Sequence, residues 1–141
     1  MSEGPTSKAT LPGKFAFDSS IMFESGSARL TPRGAQLLTE AASGFKGTPP
    51  AGHRWDIQVV GHADVMGNAH RNNLLSQAPA QAVRAQFIAA GVPAAAMTAT
   101  GRGSQDSIVD CPGSMAHAER VECLAPNRRV EVDVKLRPVA P

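Results

Sequence analysis

The arrangement of apolar and polar positions divides the chain into alternating strand-like and helix-like pieces. The clearest strand lies late in the sequence, where Val130, Val132, Val134 and Leu136 alternate with Glu131, Asp133, Lys135 and Arg137. A period of two, apolar on one side and charged on the other, is that of a half-buried strand. Arg54 to Gly61 predicts a second strand with Trp55, Ile57 and Val59 on one face, and Met97 to Gly101 a third. Early in the chain, Phe15, Phe17, Ile21 and Phe23 are interrupted by Asp18-Ser19-Ser20, which predicts a short strand with a turn or bulge.

Between the strands the period lengthens. Thr31-Pro32 is a helix start, Thr as the cap and Pro at the first helical position. Leu37, Leu38, Ala41, Ala42 and Phe45 then form a stripe at helical spacing, ended by the Pro- and Gly-rich run Lys46 to Gly52. Gly67 to Leu75 is polar, with room for a helical turn, and Ser76 is expected to cap the second long helix. That helix carries Ala80, Val83, Phe87 and Ile88 on its apolar side, and Gly91 and Pro93 stop it. A short helical piece is expected over Ser114 to Val121. Strand-helix-strand-helix-strand-(helix)-strand, βαβαβ(α)β, predicts an α/β two-layer sandwich with helices on one face. The expected organisation is a linker over 1–13, one domain over 14–137 and a frayed tail over 138–141.

A length of 141 residues suits one such domain with a single core. The net charge is only +2, its basic residues are scattered, Tyr is absent and aromatics make up 4% of the chain. Neither a basic footprint nor a base-stacking surface is present, so nucleic acid is not an expected partner. No apolar run approaches the roughly 18–20 residues of a membrane-spanning helix, so direct membrane insertion by this segment is not expected. The polar opening Met1 to Lys8 lacks the apolar core of a signal peptide.

Cys111 and Cys123 are the only cysteines. Bridged, they would close a loop whose chain-entropy contribution is about 3 kcal/mol; as free thiols they would suit a reducing compartment. The loop-like Cys111-Pro112-Gly113-Ser114 favours the bridge and an oxidising compartment.

Several chemistries compete for the polar residues. His62 and Asp64 with His70 offer three ligands to a zinc ion. They lack a helix-borne pair at i, i+4, and His53 and His117 fall in other loops, so a structural His62 beside a strand end is the simpler reading. A Cys–His nucleophile built on His117 requires a free low-pKa thiol, which a bridge would remove. No Gly-x-Ser-x-Gly elbow occurs, so hydrolysis has no support, and no metal or cofactor is expected. A binding role uses Asp64 differently. An acid at a strand end beside Gly61 can hold an ammonium by a charge-assisted hydrogen bond. Asn72 offers a donor and an acceptor to a peptide-like ligand. Of Arg128 and Arg129, one could face a ligand while the other pairs with an acid.

The order and spacing of these residues resemble the OmpA-like peptidoglycan-binding domain over about residues 15 to 137. Phe23 to Gly34, with its Leu30-Thr31-Pro32-Arg33-Gly34 helix start, is similar to the family's opening. Gly61-His62-Ala63-Asp64 resembles its Gly-His-Thr-Asp, with Ala63 in place of Thr, and Asn72 to Ser76 its Asn-x-x-Leu-Ser. Gly91-Val92, Gly101-Arg102-Gly103 and Asn127-Arg128-Arg129-Val130-Glu131 continue the pattern. The cysteine loop resembles that of the outer-membrane porin-type members, which carry a disulfide here.

The resemblance implies a mixed sheet and a non-catalytic domain. Its expected place is the periplasm of a Gram-negative bacterium, in an outer-membrane-associated protein. It implies binding of the peptidoglycan peptide stem through diaminopimelate, with envelope proteins as further partners. The implied ligand residues are Asp64, Asn72, Leu75, Ser76, Arg128 and Arg129. In the family an Asp takes the ligand's ammonium and an Arg in Leu-Ser-x-x-Arg-Ala its carboxylate. Leu75-Ser76-Gln77-Ala78-Pro79-Ala80 puts Pro79 at that Arg position. With no charge and no donor there, weakened binding is expected. The alternative is a protein-interaction or structural module that has lost the ligand.

Overall fold

A computed structural model describes residues 13–139. Of the expected linker only Gly13 falls within them, as the first residue of β1, and residues 140–141 of the expected tail lie outside. Four strands, β1 (Gly13–Asp18), β2 (His53–His62), β3 (Met97–Gly101) and β4 (Arg129–Pro138), form one mixed sheet in the order β1-β4-β2-β3. β4 is antiparallel to both neighbours, and β2 and β3 are parallel. The helices are α1 (Ser19–Met22), α2 (Pro32–Ala42), α3 (Ala69–Ala89) and α4 (His117–Cys123). This is the α/β two-layer arrangement expected. α3 is the crossover that a parallel β2–β3 pair requires.

Register explains the core. Gly13, Val134, Ile57 and Met97 lie abreast across the sheet, then Phe15, Val132, Val59 and Ala99, then Phe17, Val130, Gly61 and Gly101. These rows face the helices. Leu38 and Ala42 of α2, Val83 and Phe87 of α3, and Phe45 close over them. Phe45 meets Phe87 edge to face with ring centroids 5.2 Å apart, a favoured aromatic geometry. The opposite face is polar, with Arg137 Nε 2.9 Å from Asp56 Oδ2.

The third row shrinks to two glycines because α3 sits directly on it. A Cβ on Gly61 would lie 1.9 Å from the Ser76 carbonyl oxygen, and one on Gly101 would lie 2.5 Å from Ser76 Oγ. The Ser76 hydroxyl donates to the Asn73 carbonyl and accepts from Gly103 N–H, both at 2.8 Å.

Several element limits differ from the expectation. Ser76 is not a cap: α3 begins two turns earlier, where Asn68 Oδ1 accepts from Arg71 N–H at 2.7 Å. The polar run before Ser76 is helical because buried Asn72 ties it down, its side-chain amide donating to the Asp64 carbonyl at 3.1 Å. Pro79 therefore stands inside the helix and not in its first turn. It has no N–H to give to the Leu75 carbonyl, and an interior Pro costs a helix about 3 kcal/mol. Ile88, expected on the apolar stripe, is exposed at its edge. After β1 the chain makes the single turn α1, capped by Asp18, and Phe23 then bridges Leu30. The cysteine-loop helix begins at His117, not Ser114, because the Ala116 carbonyl accepts its first helical bond from Arg120 N–H. Cys111 and Cys123 are bridged.

Candidate ligand-binding cleft

An open cleft of about 830 Å³ lies where β2 ends and β4 begins. One wall is the turn after α1, Phe23 to Ala28, and the floor is His62-Ala63-Asp64. The other wall is the outer face of α3, with Arg71, Leu75 and Pro79, and Arg128 closes the side towards α4.

Asp64 is the fixed acid. Its residue is only 8% exposed, yet it lines the cleft. Oδ1 accepts from Met66 N–H at 2.9 Å, and Oδ2 accepts from Arg128 Nη1 at 2.5 Å. Arg128 Nη1 also reaches the Val121 carbonyl at 3.2 Å. Asn72, Leu75 and Pro79 share the cleft with this pair.

Two residues grouped with them by sequence lie elsewhere. Ser76 is turned to the sheet, where its hydroxyl joins α3 to Gly103. Arg129 is buried and spent on structure: Nε donates to Glu131 Oε2 at 2.7 Å, Nη1 to the Asn127 carbonyl and Nη2 to the Asp106 carbonyl. Strand alternation explains the split, since adjacent side chains leave opposite faces. Asn127, fully buried, accepts from the N–H groups of Ile108 and Val109 and donates to the Val109 carbonyl, which holds the cysteine loop beside Arg128.

His62 borders the cleft floor with its ring buried. Nε2 is 3.4 Å from Glu131 Oε1 and Nδ1 is 4.0 Å from Asp106 Oδ2, and among the described residues neither nitrogen has a hydrogen-bond partner. Burial, then the charge of Arg129, hold its pKa below the usual imidazole value against the pull of Glu131 and Asp106. Burial works to raise the Glu131 carboxyl, but the hydrogen bond and charge of Arg129 leave it below its usual range. His70 is exposed on α3, and among the described residues no group of three His, Cys, Asp or Glu could hold a metal ion.

Arg71 is the cleft residue that sequence reasoning missed. It lines the site one turn before Leu75 and two before Pro79, and its side chain is exposed. A signal existed in the spacing 71, 75, 79, which puts the three on one helical face once the early start of α3 is known.

The model of the OmpA family matches residues 22–120. This chain belongs to the OmpA family. It is 34% identical over 124 residues to outer membrane protein A of Serratia odorifera, covering 86% of this chain and 50% of that relative. To outer membrane protein A of Yersinia pseudotuberculosis it is also 34% identical over 124 residues, covering 86% of this chain and 35% of the relative. The chain thus spans half or less of these OmpA proteins. Among solved structures, the cell wall anchor of the T6SS from Pseudomonas aeruginosa superposes with a TM-score of 0.68 at 28% identity, over 88% of this chain and 81% of that one. The peptidoglycan-associated lipoprotein of Burkholderia pseudomallei superposes with a TM-score of 0.65 at 24% identity, over 82% and 88%, and shares the fold. No helix among the described residues of this OmpA-family domain is long and apolar enough to cross a membrane.

Proposed function

We propose that this domain binds cell-wall peptidoglycan without cleaving it, gripping the diaminopimelate of the peptide stem, and so anchors a periplasmic, outer-membrane-associated protein to the wall. The observation that carries this reading is Asp64: a nearly buried carboxylate, oriented by Met66 N–H and Arg128, at the floor of an open cleft. Such an acid can take an ammonium by a charge-assisted hydrogen bond. Asn72 holds the Asp64 backbone in place, and Phe23, Leu75 and Pro79 supply apolar walls for an aliphatic stem. The names of two structural neighbours, a cell wall anchor and a peptidoglycan-associated lipoprotein, support the assignment. Pro79 weakens the grip because it brings no cation to the ligand's carboxylate.

Calorimetric titration with a diaminopimelate-containing muropeptide tests the reading. Binding by the parent chain that is lost in Asp64→Ala supports it, and binding indifferent to Asp64→Ala overturns the pocket. Pro79 also favours a second reading, an interaction module that has given up the ligand. That reading requires no muropeptide binding by the parent chain. Restoring the missing partner of an unpaired charge changes affinity by about 2 kcal/mol or more, so Pro79→Arg should tighten binding at least ~30-fold if no other cation of the cleft already meets the ligand's carboxylate, and less if one does.

A further inference from the structure

The cleft holds a second guanidinium in a place no motif assigns. Its charged lining residues are Glu24, Asp64, Arg71 and Arg128. Arg128 is committed to Asp64 and the Val121 carbonyl, and Glu24 lies 4.0 Å from Arg29. The Arg71 guanidinium alone of the cleft's basic side chains has neither an acid nor a carbonyl partner among the described residues; only its backbone N–H is engaged, by Asn68.

Its placement beside Asp64 follows from the first turn of α3. Asn72, the next residue, donates its side-chain amide to the Asp64 carbonyl at 3.1 Å, and Met66, which donates to Asp64 Oδ1, lines the same cleft. Helical side chains lean towards the helix N-terminus, the end of α3 that follows the loop carrying Asp64 and Met66, and Arg71 lines one cleft with both. Position 79 lies two turns farther along the axis, about 12 Å at 1.5 Å per residue. On the diaminopimelate side chain the ammonium and the carboxylate are attached to one carbon, so an ammonium at Asp64 leaves the carboxylate within reach of a cation at either flank.

Resting on the peptidoglycan reading above, we infer that Arg71 receives the side-chain carboxylate of the ligand in this chain, taking over from the opposite flank the role that Pro79 cannot fill. The site is then a two-point clamp for a zwitterion, Asp64 for the ammonium and Arg71 for the carboxylate, with Pro79 and Leu75 as apolar wall. This makes Arg71 the residue that distinguishes a free carboxylate from its amide.

The test compares two muropeptides by calorimetry with the intact chain, one with the free side-chain carboxylate of diaminopimelate and one with that carboxylate amidated. The parent chain should prefer the free acid by about 10-fold, the scale of one charge-assisted hydrogen bond at a partly exposed site. Arg71→Gln should lose that preference by weakening the acid form about 10-fold while leaving the amide form within about 2-fold, and Arg71→Lys should keep part of it. Because Arg71 is exposed, an unchanged thermal transition shows that the variants are folded. A preference for the acid that survives Arg71→Gln overturns the assignment while leaving peptidoglycan binding intact. Absence of binding to both muropeptides by the parent chain overturns the underlying reading and the assignment with it.

Discussion

The two faces of α3 are built to opposite specifications. On the inner face, Ser76 lies against Gly61 and Gly101 so closely that neither glycine has room for a methyl group. On the outer face, Arg71 and Leu75 are exposed over a cleft, and even Pro79 is accommodated without ending the helix. One helix thus carries a seam that tolerates no change in volume and a surface on which chemistry can be exchanged. A chain can therefore keep the fold of its family while altering the outer face residue by residue.

The sharpest way to break this contrast is Gly61→Ala. Its methyl group would overlap the Ser76 carbonyl oxygen, backbone that cannot swing aside, so we expect a loss of about 3 kcal/mol or more in urea unfolding. Leu75→Ala on the exposed face should stay within about 0.5 kcal/mol. Equal losses would end the distinction between the faces.

Pro79→Ala probes the outer face from the other side. Restoring the N–H that reaches the Leu75 carbonyl should raise stability, by up to about 3 kcal/mol. Muropeptide affinity should stay unchanged, since Ala brings no cation. A rise in affinity equal to that of Pro79→Arg would show that helix geometry, not charge, limits the site.

Asp64→Ala should cost about 2 kcal/mol of muropeptide binding, seen in the same titration, and leave Arg128 without its carboxylate. It should leave the Ser76 seam unaffected, which amide hydrogen exchange of Gly103 reports.

The smallest effect is the pH response at the cleft floor. His62 has a pKa below its unfolded value, so the unfolded chain binds the proton more readily, and stability falls as pH drops below about 6.5. Glu131 and Asp106, both held below their usual carboxyl values, the latter chiefly by its hydrogen bond with Arg102, lose their contribution at lower pH still. All three act in one direction. His62→Gln should flatten the fall in thermal stability between pH 7 and 5.5 while leaving the steeper acid limb.

Much of this was legible in the residues. The alternation of Val130 to Arg137 defines β4, and Thr31-Pro32 opens α2 with the Thr31 hydroxyl accepting from Gly34 N–H as its capping type requires. The helix with the cleft on its outer face was the hardest to read. Ser76 has the chemistry of a cap, and Pro79 three residues later strengthens that reading, but the hydroxyl is used across the sheet, on Gly103. The true cap, Asn68, precedes a polar run with no apolar stripe because its outer face overhangs the cleft. The division of labour between Arg128 and Arg129 was open for a related reason. A pairing such as Asp64–Arg128 joins residues far apart in the chain, and no local spacing encodes it.

That ion pair also sets how the site responds to its medium. With Arg128 on Asp64 Oδ2 and Met66 N–H on Oδ1, the carboxylate keeps lone pairs free, so an incoming ammonium can join the acid while Arg128 stays in place. Binding on the proposed reading therefore adds the ligand's two charges to an ion pair that is already made. Added salt screens the contact at exposed Arg71 more than the one at nearly buried Asp64, so affinity should fall with ionic strength, and less so in Arg71→Gln. Such a domain would hold its ligand more firmly in dilute than in concentrated surroundings, with the buried acid setting the part of the grip that salt does not reach.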